Sequence, residues 1–423
     1  MSSERPAWDT FAFGRLGVWA VFAALLALLP LFFSSPVAVT ILNQMGISIV
    51  FALSYNMLLG QGGMLSFGHA VYFGLGGFFA VHVMNGVDYG GWPIPLPVLP
   101  FLGGLFGLAF AAIIGSFSTR RACTVFAMIS LGIGELIAAC SIIFVVFFGG
   151  EEGVSADRTM GPPVLGYEFI GEIEVYVLTA VIVFVTTVLM YLFSRTPAGR
   201  MANAVRDNAE RAEFLGYSQR QVRFISFCAS GFFAGIAGGL FAINYEILTE
   251  ENLNLVTSGW VLLMAYIGGV GYFVGPIVGA VLLTLLQTVL SNHTEIWRLY
   301  LGILFLLTVM FAPSGLTGLV MMHAPAWKTG RIGQLLWPYA KALPLLVASL
   351  AGAIALLEMT HHVNAGGAAA DAWTVFGWEI ALDSVWSWLI AAALLALGSW
   401  GMARSAPELR AAWDQAHVVE VER

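Results

Sequence analysis

Charge is scarce in this chain: only 10% of its 423 residues are Asp, Glu, Lys or Arg, where a soluble domain carries roughly 25%. That shortage excludes a soluble enzyme, a nucleic-acid binder and a disordered scaffold, each of which needs a charged or solvated surface. Cysteine is scarcer still. Cys123, Cys140 and Cys228 stand far apart, in or beside apolar segments. Neither a disulfide framework nor a zinc site of clustered cysteines fits them, and they read as packing residues. Also missing are a Walker-A Gly-Lys loop, a His-x3-His pair, a Gly-x-Ser-x-Gly elbow and a Cys-x2-Cys pair. The chain therefore cannot hydrolyse ATP by itself, and the pattern points to no catalytic residue, no cofactor and no metal site.

Apolar residues, by contrast, abound. They make up 59% of the chain, about 250 positions, enough for about twelve membrane spans at roughly 20 residues each. The apolar stretches are continuous and do not alternate every second residue, which excludes a β-barrel. The fold class is an all-α polytopic integral membrane protein with about 10–12 transmembrane helices, some broken or re-entrant at Gly-rich segments. Spans are expected near 16–34, 37–59, 66–85, 95–118, 123–148, 174–194, 222–244, 257–270, 274–291, 297–312, 342–358 and 384–402. The first resembles a signal peptide, but its run is long, no small-residue cleavage site stands out and a second span follows at once. A retained anchor over 1–36 is expected.

Orientation follows from the basic residues. Arg120 and Arg121 lie between two spans, and Arg195, Arg200, Arg206, Arg211, Arg220 and Arg223 crowd into one later segment. Both clusters should face the cytoplasm. Between them, Glu151, Glu152, Asp157, Glu168, Glu172 and Glu174 outnumber Arg158, so that segment should face outside. An even span count, with both termini cytoplasmic, also places Lys328, Arg331, Lys341 and Arg404 inside.

Three glycine-rich zones interrupt the apolar runs: Gly60 to His69, the four-residue repeat Gly231, Gly235 and Gly239, and Gly268 to Pro276. The repeat reads as close helix packing. The outer two break helices and free backbone groups, which survive at membrane depth only where protein or a water-filled cavity covers them. Broken helices of this kind point to a transport pathway, for which the candidate residues are Gln61, Gly62, Gly63, Ser66, His69, Gly268, Gly269, Gly271, Gly275 and Pro276. Glu135 joins them, because a mid-span carboxylate must face a cavity or a partner. Its alternative is a protonated or hydrogen-bonded structural acid. Ser66 and His69, three apart, share a helical face. The histidine also suits a structural hydrogen bond, and Asn43, Gln44, Ser54 and Asn56 suit interhelical ones.

The segment 195–221 is the least membrane-like stretch between spans. Ala204, Ala209, Ala212 and Leu215 have approximate helical spacing, while Arg206, Asp207, Glu210 and Arg211 project polar heads. It reads either as a solvated loop helix or as a short amphipathic helix docking into a cytoplasmic partner.

Leu53 to Gly77 (LSYNMLLGQGGMLSFGHAVYFGLGG) and Arg195 to Gly216 (RTPAGRMANAVRDNAERAEFLG) resemble motifs of the LivM-type permease subunit of branched-chain amino acid ABC importers. Ser230 to Leu240, Ile267 to Ala280 and Phe311 to Leu319 match the same pattern in order. The resemblance covers about 37–320. It implies a permease in the bacterial inner membrane that pairs with a LivH-like second permease, two ATP-binding-cassette ATPase subunits and a periplasmic binding protein, with ATP and magnesium held by the ATPases. It also implies that Gly199, Arg200, Arg206, Asp207, Asn208, Glu210, Arg211, Glu213 and Gly216 couple the chain to an ATPase. Reversing charge at Glu210 and Arg211 should weaken docking, and a bulky residue at Gly63 or Gly269 should block uptake without preventing insertion. The family serves several solutes, so an importer of urea or short amides is an alternative, as is an ion-coupled transporter using Glu135. Outside the resemblance lie a basic cytoplasmic linker at 321–341, an accessory transmembrane pair at 342–402 and a cytoplasmic tail at 403–423.

Overall fold

A computed structural model describes residues 15–121, 123–164, 166, 168–365, 372–375, 378–382 and 384–417. Residues 1–14 of the expected anchor, 366–371 of the C-terminal loop and 418–423 of the tail lie outside the described residues, as does the side chain of Cys123. Helices dominate because, where lipid replaces water, backbone N–H and C=O groups must be satisfied within the segment. In chain order they are α1 (Arg15–Phe32), α2 (Pro36–Asn56), α3 (Ala70–Gly90), α4 (Leu99–Ser118), α5 (Cys123–Ile143), α6 (Val145–Phe148), α7 (Glu172–Arg195), α8 (Pro197–Asp207) and α9 (Ala209–Phe214). There follow α10 (Gln219–Tyr245), α11 (Leu255–Gly268), α12 (Gly275–Ser291), α13 (Trp297–Phe311), α14 (Gly315–Met321), α15 (Ala324–Lys328), α16 (Gly333–Ala365) and α17 (Val385–His417). Two antiparallel strand pairs join them, β1 (Val154–Ser155) with β2 (Ile247–Leu248), and β3 (Ala372–Val375) with β4 (Trp378–Ala381).

Every apolar segment of the sequence is helical, but not every one is a full span. Among the described residues 8 helices are long and apolar enough to cross a membrane, or 9 if the pair Trp297–Phe311 and Gly315–Lys328, bent by 46°, is one span. Three of the twelve expected spans are shorter than that: the apolar stretch Gly17–Phe32 of α1 and the two helices that flank the third glycine zone. The Gly268 to Gly275 break cuts one long apolar run into α11, of 14 residues, and α12, of 17. At 1.5 Å per residue these reach only about 21 and 26 Å, less than a hydrocarbon core of about 30 Å.

The chain divides into two units. The first contains the described residues up to His293 together with Leu301–Leu319, and the second contains Thr294–Tyr300 and residues from Val320 onward. In the first unit α10 packs against α3 and α4 through glycines. A Cβ on Gly76 would stand 2.6 Å from Gly235 Cα, so the small-residue stripe of α10 sets the close approach. Pro30 within α1 has no N–H to give the Leu26 carbonyl, and the Tyr176 hydroxyl of α7 donates to that oxygen at 2.7 Å.

At one end of α7 the loop 149–171 is pinned by Arg158, which is only 7% exposed. Its guanidinium meets Glu172 Oε1 at 2.9 Å, and its backbone N–H donates to Glu246 Oε1 at 2.8 Å. There, too, the Thr159 hydroxyl and amide, both bonded to Asp157 Oδ1, hold the Asp157 carboxyl below its ordinary range. At the other end of α7 lie α8 and α9, so the acidic loop and the arginine-rich segment are separated by a helix of 24 residues.

In the second unit α16 and α17, each of 33 residues, form a hairpin in which the Gly352 backbone meets Leu395 and the Gly398 backbone meets Ser349. Near the start of α16 Lys341 pairs with Glu408 at 2.7 Å. Helix α17 continues to His417, through most of what the sequence suggested as a tail.

Candidate functional site

The first glycine zone is a break whose backbone is satisfied by side-chain hydroxyls and a tyrosine. Helix α2 ends in a single π-helical turn, Met57–Gln61. The chain then leaves helical geometry through Gly63, at φ +64, a conformation that favours glycine, and re-enters helix at Ala70. Between these points Tyr55 Oη donates to the Ser66 carbonyl, the Phe67 N–H to Ser130 Oγ and the Ala70 N–H to Ser258 Oγ, each at 3.0 Å. Ser54 Oγ gives its hydrogen to the Phe51 carbonyl at 2.7 Å, so it accepts from His69 Nε2 at 3.0 Å. That assigns the His69 proton to Nε2. The ring is fully buried, stacked on Phe51 and edged by Tyr55. Among the described residues Gln61 Oε1, Ser66 Oγ and His69 Nδ1 are buried without a hydrogen-bond partner, an unusual concentration of unmet polarity.

The third zone is built differently. Gly268, Gly269, Gly275 and Pro276 are buried, and Gly271 is exposed. Gly269 sits at φ +118, and a Cβ there would meet the Ser314 carbonyl at 2.5 Å. Gly315, itself at φ +68, lies against Gly268 and Gly269. Backbone meets backbone with no room for a side chain. The break closes with short turns, Tyr272 N–H to the Gly269 carbonyl and Gly275 N–H to the Tyr272 carbonyl, each at 3.2 Å.

The two breaks meet at Gly60, which the sequence reading named as the start of the first zone but not as a pathway candidate. A Cβ on Gly60 would stand 2.6 Å from the Val270 carbonyl. The Gly60 carbonyl in turn accepts from the Arg206 guanidinium of α8. Arg206 is also held by Asp207, its Nε and Nη2 each 2.9 Å from Oδ1, and the Gly63 backbone packs on its stem. Gly60 thus joins both breaks to the arginine-rich segment.

That segment consists of two helices with successive caps. Thr196 Oγ1 accepts from Gly199 N at 3.3 Å to start α8, with Pro197 at its first position. Asn208 ends α8 and, with Oδ1 accepting from Arg211 N at 2.9 Å, starts α9. Ala202, Val205, Ala212 and Val222 are buried together, with Met201 and Ala209 beside them. Arg200, Asp207, Asn208, Glu210, Arg211, Glu213 and Gly216 are exposed, and Gly199 is buried. Leu215, expected on the buried face, is 67% exposed, next to Phe214 at 91% and Tyr217. The segment therefore presents an apolar tip ringed by charge, and the aromatic members of that tip, Phe214 and Tyr217, were missed because neither takes a position of the Ala204, Ala209, Ala212 and Leu215 pattern.

Glu135 lies on the open face of α5, in a stripe of exposed residues with Met128, Gly132, Leu136 and Ala139. The opposite face of α5 carries Ser130 and Gly134 against Phe67 and Gly68. One helix thus supports the first break on one side and offers a carboxylate on the other. The first unit sets Gly60 against Val270 of the second break and against Arg206, whose stem packs on Gly63, while Ser66 and His69 bond to Tyr55 and Ser54 of α2 and Glu135 lies on the outer side of α5. What this arrangement can do is pass motion of α8 to a broken span through one guanidinium–carbonyl contact.

Residues 37–312 match the family model described as branched-chain amino acid transport system / permease component. This chain belongs to that family. The permease is 26% identical over 293 residues to the high-affinity branched-chain amino acid transport system permease protein LivM of Escherichia coli K12, covering 64% of this chain and 67% of the relative. It is 26% identical over 334 residues to the autoinducer 2 import system permease protein LsrC of Enterobacter sp. strain 638, covering 75% and 90%. It is 23% identical over 239 residues to a probable branched-chain amino acid transport permease protein LivH of Methanocaldococcus jannaschii, covering 53% and 74%. No solved structure matches it. The relatives are transport permease subunits, and the permease, with its several apolar helices, is a membrane protein of the same kind.

Proposed function

We propose that the permease is one half of the conduit of an ATP-binding-cassette importer in the bacterial inner membrane, with both termini cytoplasmic. It moves a branched-chain amino acid or a related small polar solute delivered by a periplasmic binding protein. A LivH-like permease covers the face of α5 that carries Glu135, because a mid-span carboxylate facing lipid costs about 3 kcal/mol or more. Two ATPase subunits bind ATP and magnesium, and this chain supplies no cofactor. One of them receives α8 and α9, with Phe214, Leu215 and Tyr217 entering its groove and Glu210, Arg211 and Glu213 at the rim. The observation that carries this reading is the Arg206–Gly60 contact, through which movement of the docked segment reaches the broken second span.

The solute is left at the level of a small polar molecule, because relatives named for branched-chain amino acids and for autoinducer 2 are similar to this chain. Urea or a short amide remains within that class. An ion-coupled mechanism through Glu135 needs an enclosed proton site, whereas this side chain is exposed on the first unit.

The test is copurification followed by reconstitution. The permease should bring down ATPase subunits, and Arg206→Ala should retain them and their ATP hydrolysis while uptake into proteoliposomes falls at least about tenfold, equivalent to about 1.4 kcal/mol on the transport barrier. Absence of any ATPase companion, or gradient-driven uptake by the permease alone, would overturn the reading.

A further inference from the structure

The second unit contains a group of side chains that the transport reading leaves unused. Glu358, His361 and His362 lie on the last turns of α16, at spacings of three and four residues that put each histidine beside the glutamate. One potential ligand atom from each lies within 4.8 Å of the other two. We propose that these three residues bind a divalent transition-metal ion, zinc above all.

Four observations support it. Glu358 is only 4% exposed, and a buried carboxylate is costly unless a positive charge or several hydrogen bonds compensate it. Its Oε1 accepts from the Tyr300 hydroxyl at 2.6 Å, which orients the carboxylate as an outer-shell partner orients a metal ligand. His362 Nδ1 is 2.9 Å from the Glu358 carbonyl oxygen. A carbonyl can only accept, so the proton is on Nδ1 and the lone pair on Nε2, the form in which histidine ligates metals. Finally, His361 Nε2 stands 4.0 Å from the carboxylate of Glu295, itself highly exposed, which puts a fourth ligand, an oxygen, within reach.

Two imidazoles and one or two carboxylates make a donor set suited to zinc, with copper and nickel as competitors. Zinc at about 2.0–2.2 Å from each ligand brings ligand atoms to about 3.4 Å from one another. Side-chain rotation alone covers that closure, because both rings are about two-thirds buried and still reach the surface. The cluster sits at the end of α16 remote from Lys341, and positive residues favour the cytoplasmic face, so the ion would be drawn from the extracytoplasmic side.

The experiment uses the full chain in nanodiscs, purified without a histidine tag, stripped with chelator and dialysed against zinc. One tightly held zinc per chain is expected by elemental analysis, together with a zinc-dependent rise in melting temperature and a tetrahedral absorption spectrum with cobalt. The double variant His361→Ala/His362→Ala, whose side chains are partly exposed, should fold, lose the bound zinc and lose the zinc-dependent rise. Tyr300→Phe should weaken binding about tenfold or more. Wild-type protein that retains no zinc, or a double variant that retains as much as wild type, would overturn the proposal. Glu358→Gln that behaves as wild type would remove the glutamate as ligand and overturn it equally. None of these readouts depends on transport.

Discussion

The two glycine-rich breaks look alike in composition and are stabilised by opposite means. In the first, from Met57 to His69, the freed backbone groups find Ser130, Ser258 and Tyr55, and polar atoms of Gln61, Ser66 and His69 remain unmatched. In the second, from Gly268 to Pro276, backbone lies directly on backbone at Gly269 and Gly315, with short turns closing the loop. A break held by side-chain hydroxyls can exchange its hydrogen bonds with other partners or with water. A break held by the absence of side chains cannot shift without opening a void or a clash. The first therefore suits a moving part, and the second suits the fixed surface against which it moves at Gly60 and Val270.

Substitutions can break or sharpen that contrast. The largest effect is expected for Gly269→Leu, which combines a left-handed backbone costing about 1–2 kcal/mol with overpacking worth about 1–3 kcal/mol. Little monodisperse protein should survive size-exclusion chromatography, and normal yield would show that the second break is not rigid. This replaces the sequence-based expectation that a bulky residue there would spare insertion. Next comes Gly63→Leu. Its new Cβ would meet only the flexible stem of Arg206, 2.7 Å away at Cγ. It should fold with a loss of about 1–2 kcal/mol yet reduce uptake about tenfold or more; unimpaired uptake would take Gly63 out of the moving part. Ser130→Ala and Ser258→Ala should each cost about 0.5–1.5 kcal/mol in thermal unfolding, and no change in either would mean that water already serves the first break. The smallest effect is expected for Glu135→Gln, which should leave stability within about 0.5 kcal/mol because the side chain is exposed. A large destabilisation would place Glu135 inside the packing of its own unit.

Much of this was legible in the sequence. Continuous apolar runs required helices, and glycine clusters required breaks at the places where helices end. Composition alone did not distinguish a break that is polar from one that is dry, because that depends on Ser130 and Ser258, which lie 63 and 188 residues from their partners. The arginine-rich segment was recognisable from its alanine spacing and charge, but its exposed Phe214 and Tyr217 were not, since neither takes a position of that spacing. Gly60 was named only as the start of a glycine zone, because its role lies in a carbonyl and a missing Cβ, and neither has a sequence pattern of its own. The group at Glu358, His361 and His362 escaped notice because it lies outside the stretch that resembles the family and because a lone Glu-x2-His-His run is common without a metal. Its link to Tyr300, 58 residues away, is visible only in the fold.

The bond from Tyr176 to Leu26 works as a dowel. The proline at position 30 leaves the Leu26 carbonyl without its helical donor, and one phenol on α7 fills it, so the first helix is keyed to the seventh at a fixed height and cannot slide by a turn without losing both the proline's compensation and the tyrosine's partner. Chimaeras that exchange the N-terminal helix between permeases of this kind should accordingly be most stable with a donor carrying its proline four residues beyond the phenol's contact.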